Sequence, residues 1–187
     1  DLFGMIQNQT ERLSHLSEVL LDMTGIQSVE RSDFISLAEL TDEVCCDLAS
    51  IADQKKVELI QEEGDCTVTG SYLLLYRAVY NLVENAIKYN HSGGKVTVKI
   101  SQKKDLPAAH SKPADCALVE VTDTGIGISP EYQEKIFAPF FRVDKSRSRA
   151  MGGAGLGLAL VAEIARQHGG QVKVLASSEQ GSTIALM

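Results

Sequence analysis

Two asparagines and a lysine recur at helical spacing between residues 81 and 90 of the chain. Asn81, Asn85 and Lys88 are separated by four and three residues, so on a helix they share one face beside Tyr89. Amide oxygens next to an ammonium group can hold a hydrated Mg²⁺ and a phosphate together, because Mg²⁺ keeps most of its water ligands. Asparagine also disfavours the interior of a helix, so its presence there needs a reason. Taken alone, the segment fits a polar surface stripe equally well.

An aspartate followed by two glycines forms the second candidate segment. Asp123 ends a predicted strand, and Gly125 and Gly127 allow tight backbone turns beside a ligand. A carboxylate at this position can accept a hydrogen bond from an exocyclic amine such as adenine N6. Ordinary turns use the same residue types, so this pattern is weak by itself.

A compact basic segment follows in a chain whose net charge is −7. Residues 135–149 carry Lys135, Arg142, Lys145, Arg147 and Arg149 against one acidic residue, a local charge of +4. A cationic segment in an acidic protein favours one small anionic ligand over a long polyanion. Three phenylalanines within residues 136–141 can pack this segment onto the body of the protein. The alternative is a solvated loop.

Glycines between residues 152 and 157 lead into a predicted helix. Glycine-rich helix starts bind anions through backbone N–H groups and the helix dipole. The segment is not a P-loop, because no Gly-Lys-[Ser/Thr] follows, and it does not follow a strand as the dinucleotide-binding fingerprint does. A packing role alone is the other interpretation.

Length and composition exclude several classes of protein. The chain has 187 residues, 44% of them hydrophobic, which suits one ordinary core. No run of eighteen apolar residues and no signal peptide are present in the sequence. The negative charge and the absence of Trp argue against nucleic-acid binding. The four cysteines show no metal-ligand spacing, so reduced, packed thiols are favoured over a metal or redox role.

Hydrophobic periodicity predicts the elements that must position these segments. Helices are expected from a capping box at Ser36–Glu39 through Ile51, over 72–90, over 130–136 and from 157 to about 168. Strands are expected at 57–61, 67–69, 95–101, 117–122, 171–175 and 182–187, with a connecting loop at 102–115. The mixture without steady βαβ alternation predicts an α/β fold, a two-layer sandwich of a mixed β-sheet with helices on one face.

The first thirty residues form a separate unit in this interpretation. Apolar positions repeat every seven residues along 6–23, which predicts a helix that needs partner helices to bury its stripe. Gly25 and the polar residues after it end that helix. The predicted division is therefore 1–30 and 31–187.

The order and spacing of the four segments are more specific than any one of them. Asn85 precedes Asp123 by 38 residues, and Gly153 follows Asp123 by 30 residues. This arrangement closely resembles the catalytic ATP-binding domain of bacterial two-component sensor histidine kinases, which have the Bergerat-type fold. His168-Gly169-Gly170 and Gly181-Ser182-Thr183 resemble its closing elements. Residues 5–24 resemble the second helix of the family's dimerisation and histidine-phosphotransfer hairpin.

The resemblance implies binding of ATP and Mg²⁺, a flexible lid at about 138–154, and roles for individual residues. Asn85 would bind Mg²⁺, Asp123 would bind adenine N6, and Arg142 would approach the terminal phosphate. Catalytic roles are expected for Asn81, Glu84, Lys88 and Arg142. Nucleotide contacts are expected for Asn85, Tyr89, Asp123, Gly125, Gly127, Ile128, Lys145, Gly153, Gly155, Leu156, Gly157 and Thr183.

The resemblance also implies a reaction and partners. The γ-phosphoryl group of ATP would pass to a histidine and then to an aspartate of a response regulator. No His-Glu-x-x-x-Pro pattern occurs in the chain, so the acceptor helix, its hairpin and any membrane segment are expected upstream. A homodimer and a cytoplasmic domain of a plasma-membrane sensor are expected.

Two other functions stay open at this stage. The first is an ATPase clamp, as in the gyrase and chaperone relatives of this fold, which resemble one another in placing a water-activating Glu four residues before the metal-binding Asn. Asn81 occupies that position here, and an amide is not a general base. The second is a nucleotide-sensing module without kinase activity.

Overall fold

The computed structural model describes residues 25–106, 114–143 and 155–187. Three α-helices are present in these ranges: α1 (Leu37–Lys55), α2 (Tyr72–Lys88) and α3 (Gly157–Gln167). The strands are β1 (Asp33–Ser36), β2 (Glu58–Gln61), β3 (Thr67–Gly70), β4 (Lys95–Leu106), β5 (Ala114–Asp123), β6 (Val172–Ser178) and β7 (Gly181–Leu186). Short 3₁₀-helices lie at Ile26–Ser28, Pro130–Tyr132 and Lys135–Phe137.

Five strands form a mixed sheet in the order β2-β4-β5-β7-β6. The pair β2–β4 is parallel and the remaining pairs are antiparallel. A separate antiparallel pair joins β1 to β3. The three helices pack on one face of the larger sheet, as the sequence predicts. Their apolar stripes meet buried strand residues such as Val96, Val98, Val119 and Val121 in one core.

Helix α1 begins at the predicted capping box. The Ser36 hydroxyl accepts a hydrogen bond from the Glu39 backbone N–H at 3.3 Å, which satisfies one of the helix's unpaired first-turn donors. Helix α1 ends at Lys55, because the next residue, Lys56, has a left-handed φ of 56° that stops the helix before β2. Both ends of α1 are therefore determined by residues next to them in the sequence.

Helix α2 is fixed against α1 by a row of tyrosines. Tyr72 and Tyr76 donate hydrogen bonds from their hydroxyl groups to Glu43 and Asp47 of α1, and the two rings stack with centroids 6.4 Å apart. The hydrogen bond to Glu43 and a small burial effect raise the pKa of Tyr72 to about 12, so this phenol stays protonated at neutral pH. These contacts fix the orientation of α2 about its axis. They thereby fix the direction of the polar face near its carboxyl end.

His168 joins the end of α3 to the start of α2. Its Nε2 accepts from the Ser71 backbone N–H at 3.1 Å, and its Nδ1 lies 2.8 Å from the carbonyl oxygen of Ile164. The first contact needs an unprotonated Nε2, and the second is satisfied by a proton on Nδ1. A side chain at Gly70 would collide with the imidazole ring, because a Cβ there would lie 2.8 Å from His168 Cδ2. The predicted closing element His168-Gly169-Gly170 therefore orients two helices that carry site residues.

Three predictions about elements need correction. Residues 102–106 and 114–115 belong to β4 and β5, so every described residue of the predicted loop at 102–115 is strand. The predicted helix at 130–136 is two 3₁₀ turns. Strand β1 was not predicted, because four residues without alternation carry little signal. The division at residue 30 stays a prediction, and Ile26 is buried in the same core as the three helices.

Candidate active site

The carboxyl-terminal half of α2 carries the predicted polar face. Leu82, Val83 and Ile87 are buried in the core, so Asn81, Asn85 and Lys88 lie on the part of the helix turned away from it. The Asn81 side-chain NH₂ donates to the carbonyl oxygen of Arg77 at 2.8 Å. This bond fixes the amide so that its oxygen faces the start of α3. The apolar and polar stripes of one helix therefore place the site at the edge of the core.

The amino end of α3 approaches this face closely. A Cβ at Gly157, the first residue of α3, would lie 2.6 Å from Asn81 Oδ1 and 3.8 Å from Asn85 Nδ2. The absence of a side chain at Gly157 therefore permits the approach. The N-cap residue of α3, Leu156, has no side chain that can accept from the first-turn N–H groups, so among the described residues these donors keep the capacity to bind an anion. Leu156, just before the helix, is 2% exposed and anchors this end in the fold.

Asp123 lies at the end of β5, with both carboxylate oxygens in use. Its Oδ1 accepts from the Gly125 backbone N–H at 2.7 Å, and its Oδ2 accepts from the Ser182 hydroxyl at 2.7 Å. A Cβ at Gly125 would overlap the carbonyl oxygen of Tyr89, so the turn after β5 packs against the end of α2. These contacts place Tyr89 beside Asp123, at the end of the sheet where β5 finishes.

The rest of the first glycine segment packs on strand β6. Gly127 has a left-handed φ of 69°, and a Cβ there would overlap the carbonyl oxygen of Ser178. The Ile128 backbone N–H donates to Ser177 Oγ at 2.7 Å. Both features hold the turn after Asp123 close against β6.

Three cationic side chains converge near the end of α2. Burial lowers the pKa of Lys88; Glu84 opposes this shift, whereas Arg142 and Lys55 add to it. Lys88 Nζ also lies 5.8 Å from the centroid of the Tyr89 ring. Arg142 Nη2 is buried, and it has no hydrogen-bond partner among the described residues. Mutual repulsion and an unpaired guanidinium nitrogen are the features expected of a site that accepts an anion.

The phenylalanine segment meets the second glycine segment beside these cations. The Phe140 backbone N–H donates to the carbonyl oxygen of Gly155 at 2.9 Å. A Cβ at Gly155 would lie 3.2 Å from Arg142 Cγ. Arg142 is therefore held close to the start of α3. Two predicted nucleotide contacts, Lys145 and Gly153, lie outside the described residues, as does most of the predicted lid.

The structure does not bring Thr183 to this group of residues. Thr183 pairs with Thr122 across β5 and β7, and their hydroxyl oxygens are 3.0 Å apart. Neighbouring residues of a strand point to opposite faces, so Thr183 and Asp123 are on different sides of the sheet. Ser182 faces Asp123 instead and bonds to it. Ser182 was not predicted as a site residue, because only the register of β7 against β5 identifies it.

Glu84 lies one residue before Asn85 on α2. Its charge raises the pKa of Tyr80, after the larger effect of burial, and it also raises that of Lys88. No group of three His, Cys, Asp or Glu side chains suited to a metal ion occurs in the described ranges. None of the helices described there is long and apolar enough to cross a membrane.

Residues 70–187 match the family described as histidine kinase-, DNA gyrase B- and HSP90-like ATPases. The chain belongs to this family. Its matched range contains all four candidate segments, from the asparagines of α2 to the second glycine segment. As a member of this ATPase family the chain is an ATP-binding domain, which confirms the resemblance drawn from the sequence.

Curated relatives of this ATPase-family chain are sensor kinases. The sensor-like histidine kinase SenX3 of Mycolicibacterium smegmatis is 33% identical over 95% of the chain and 45% of its own length. The sensor histidine kinase WalK of Bacillus subtilis is 31% identical over 95% of the chain and 28% of its own length. The chain thus spans less than half the length of each of these relatives.

Solved structures of sensor kinases have the same fold. The mycobacterial sensor histidine kinase MprB has a TM-score of 0.64 and 28% identity, covering 82% of this chain and 94% of its own. The Acinetobacter baumannii histidine kinase AdeS has a TM-score of 0.71 over 98% of this chain and 81% of its own, at 22% identity. The predicted α/β sandwich is therefore confirmed, and the roles of individual residues stay predictions.

Proposed function

We propose that this chain is the ATP-binding kinase domain of a two-component sensor histidine kinase. It would direct the γ-phosphoryl group of ATP to a histidine on a helix outside residues 31–187. The observation that carries the proposal is the convergence of Lys88 and Arg142 at the end of the asparagine-bearing helix, beside the start of α3, where the buried Arg142 Nη2 has no hydrogen-bond partner among the described residues. A polyphosphate satisfies all of these groups together.

Asp123 would bind the adenine base. Its carboxylate is held at the end of β5 by Gly125 and Ser182, so it has a fixed position for accepting a hydrogen bond from an amino group. A carboxylate has about four lone-pair directions, and the two observed bonds leave capacity for a third. Tyr89 would pack beside the base, since its backbone contacts the turn at Gly125.

The donor set at the phosphate end fits Mg²⁺. The Asn85 side chain has no hydrogen bond within the described residues, and an amide oxygen is a ligand that Mg²⁺ accepts beside phosphate oxygens and water. When bound, ATP would supply the phosphoryl group, and Mg²⁺ would neutralise part of the negative charge of the phosphates. Lys88 and Arg142 would balance the remaining negative charge and hold the phosphates in line for transfer.

Asn81 would limit wasteful attack by water. Its amide is fixed by the bond to the Arg77 carbonyl and is not a general base. This is the feature that separates the kinase proposal from the ATPase-clamp alternative, in which a base would occupy this position. The carboxylate next to Asn85 in the sequence is Glu84, and it faces the side of α2 that carries Tyr80.

The whole protein would contain further parts. We propose that residues 1–30 contribute one helix of a dimerisation hairpin, that two protomers pair through it, and that a response regulator receives the phosphoryl group. A plasma-membrane sensor with this domain on the cytoplasmic side is the proposed setting.

Labelling with γ-labelled ATP tests the proposal. The chain alone should acquire no acid-labile, base-stable label, because its sequence contains no histidine in an acceptor motif. Fusion to a full acceptor hairpin should give such label, and Asn85→Asp in the fused protein should abolish it.

The opposite pattern would support the alternative. Rapid release of phosphate by the chain alone, lost in Glu84→Gln and retained in the matched control Glu62→Gln, would indicate a clamp-type ATPase. Glu62 is an exposed carboxylate paired with Lys99 at 3.6 Å, outside the group around α2.

A further inference from the structure

Lys55, the last residue of α1, contacts the phosphate end of the site from a different element. Its Nζ donates to the carbonyl oxygen of Lys88 at 2.7 Å, across 33 positions of sequence. Lys88 is the last residue of α2, and its carbonyl is one of the last four that an α-helix leaves without an internal partner. A cation at this point satisfies that carbonyl and interacts favourably with the helix dipole.

The carbonyl that Lys55 holds belongs to a short, tightly bonded connection. The Tyr89 backbone N–H donates to the backbone carbonyl oxygen of Asn85 at 3.0 Å, and the Tyr89 carbonyl oxygen accepts from the Ile126 N–H at 3.3 Å. The same connection therefore links the metal-binding asparagine to the turn after Asp123. A group that fixes the Lys88 carbonyl fixes the orientation of the peptide between the phosphate end and the base end of the site.

Lys55 also adds charge where the proposed ligand is anionic. Its ammonium group and Arg142 both lower the pKa of Lys88, after the larger effect of burial, so two other positive charges lie within electrostatic reach of Lys88. Among the described residues that act on Lys88, Glu84 alone opposes these two charges. The neighbouring Lys56 is exposed, as Lys55 is, but it is not among the groups that shift the pKa of Lys88.

We propose that Lys55 is a positioning residue for the phosphate groups of the nucleotide, acting through the Lys88 carbonyl and through its own charge. This inference rests on the proposed function. It assigns a role in nucleotide binding to α1, an element outside the four sequence segments that predict the site.

Titration calorimetry with ADP and a non-hydrolysable ATP analogue tests the inference in Lys55→Met, with Lys56→Met as the matched control. Both variants lose one lysine charge from adjacent positions. Lys55→Met should weaken binding about threefold to tenfold, with the larger effect for the triphosphate, because one nearby charge is removed. Lys56→Met should bind as the wild type does. Lys55→Arg should restore the affinity, since a guanidinium can donate to the same carbonyl.

Titration of Lys88 followed by NMR provides a second readout that a purely structural role would not change. In Lys55→Met the pKa of Lys88 should rise relative to the wild type, because a neighbouring positive charge is gone. Equal ADP affinity and an unchanged Lys88 titration in Lys55→Met would overturn the inference and leave the proposed function intact. A wild-type chain without affinity for ADP would overturn both.

Discussion

Replacement of Asp123 by asparagine separates the contribution of this carboxylate to the fold from its contribution to nucleotide binding. The Gly125 N–H has a fixed direction, so the amide oxygen of the new side chain must take the place of Oδ1. Its NH₂ group then faces Ser182, whose hydroxyl can turn and become the acceptor. Both internal hydrogen bonds survive in neutral form, and unfolding should become easier by only about 1 kcal/mol.

The effect on nucleotide binding should be larger. An NH₂ group at the position of Oδ2 cannot accept a hydrogen bond from the adenine amino group, so a bond to a charged partner is lost. Such a bond contributes about 1.5–3 kcal/mol. At about 1.4 kcal/mol for each factor of ten, the dissociation constant for ADP should rise by about tenfold to 150-fold.

Calorimetric titration with ADP measures this loss, and thermal denaturation of the same samples measures the stability. Ser182→Ala is the control, because it removes the hydroxyl that donates to Oδ2 at 2.7 Å and leaves the carboxylate charged. Its affinity for ADP should fall less than that of Asp123→Asn. Equal ADP affinity for Asp123→Asn and the wild type would refute the assignment of Asp123 to the base.

Three other perturbations follow from the structure. Gly157→Ala should lower the affinity for ADP about tenfold, because its Cβ would meet Asn81 Oδ1 at 2.6 Å and push α3 away; calorimetry should show a smaller loss when Asn81→Ala removes that oxygen. Lys56→Gly should stabilise the fold by about 1 kcal/mol, seen as a melting temperature about 2–4 °C higher, since its φ of 56° suits glycine. The affinity for ADP should fall as the pH rises through the lowered pKa of Lys88, where the free protein loses the charge that binds phosphate; Lys88→Arg, which stays charged, should keep its affinity over that range.

Local signals in the sequence were sufficient to predict α1, α2 and α3, although they wrongly extended to a helix at 130–136. The capping box at Ser36 and the apolar stripe of α2 act within a few residues, so their effects can be predicted without knowledge of the fold. Of the described residues, Asn81 and Asn85 lie beside Gly157, and Gly125 lies beside Asp123 and Tyr89, while their roles toward a nucleotide stay predictions. The order of the helices and strands along the chain places these residues at the same end of the sheet.

Features that depend on distant partners could not be predicted in this way. Strand β1 exists because it pairs with β3 more than thirty residues later, as in Asp33 opposite Gly70. The far ends of β4 and β5 are poor in strand-forming residues, and pairing such as Lys103 with Cys116 makes them strand. The choice between Ser182 and Thr183 depends on register, since a shift of one residue exchanges the two faces.

The paired strands β4 and β5 have one end at the proposed nucleotide site and extend at the other end beyond their neighbouring strands. Strand β4 pairs with β2 over Lys95–Val98, and β5 pairs with β7 over Val119–Asp123. Beyond these stretches, the described parts of the two strands pair with each other alone, as far as Leu106 and Ala114. At roughly 3.3 Å per residue, Ala114 lies about 30 Å from Asp123 along the strand. Lengthening the chain between two paired strands costs little closure entropy, so a fluorescent domain or an affinity handle inserted between Leu106 and Ala114 would leave the nucleotide-binding end accessible.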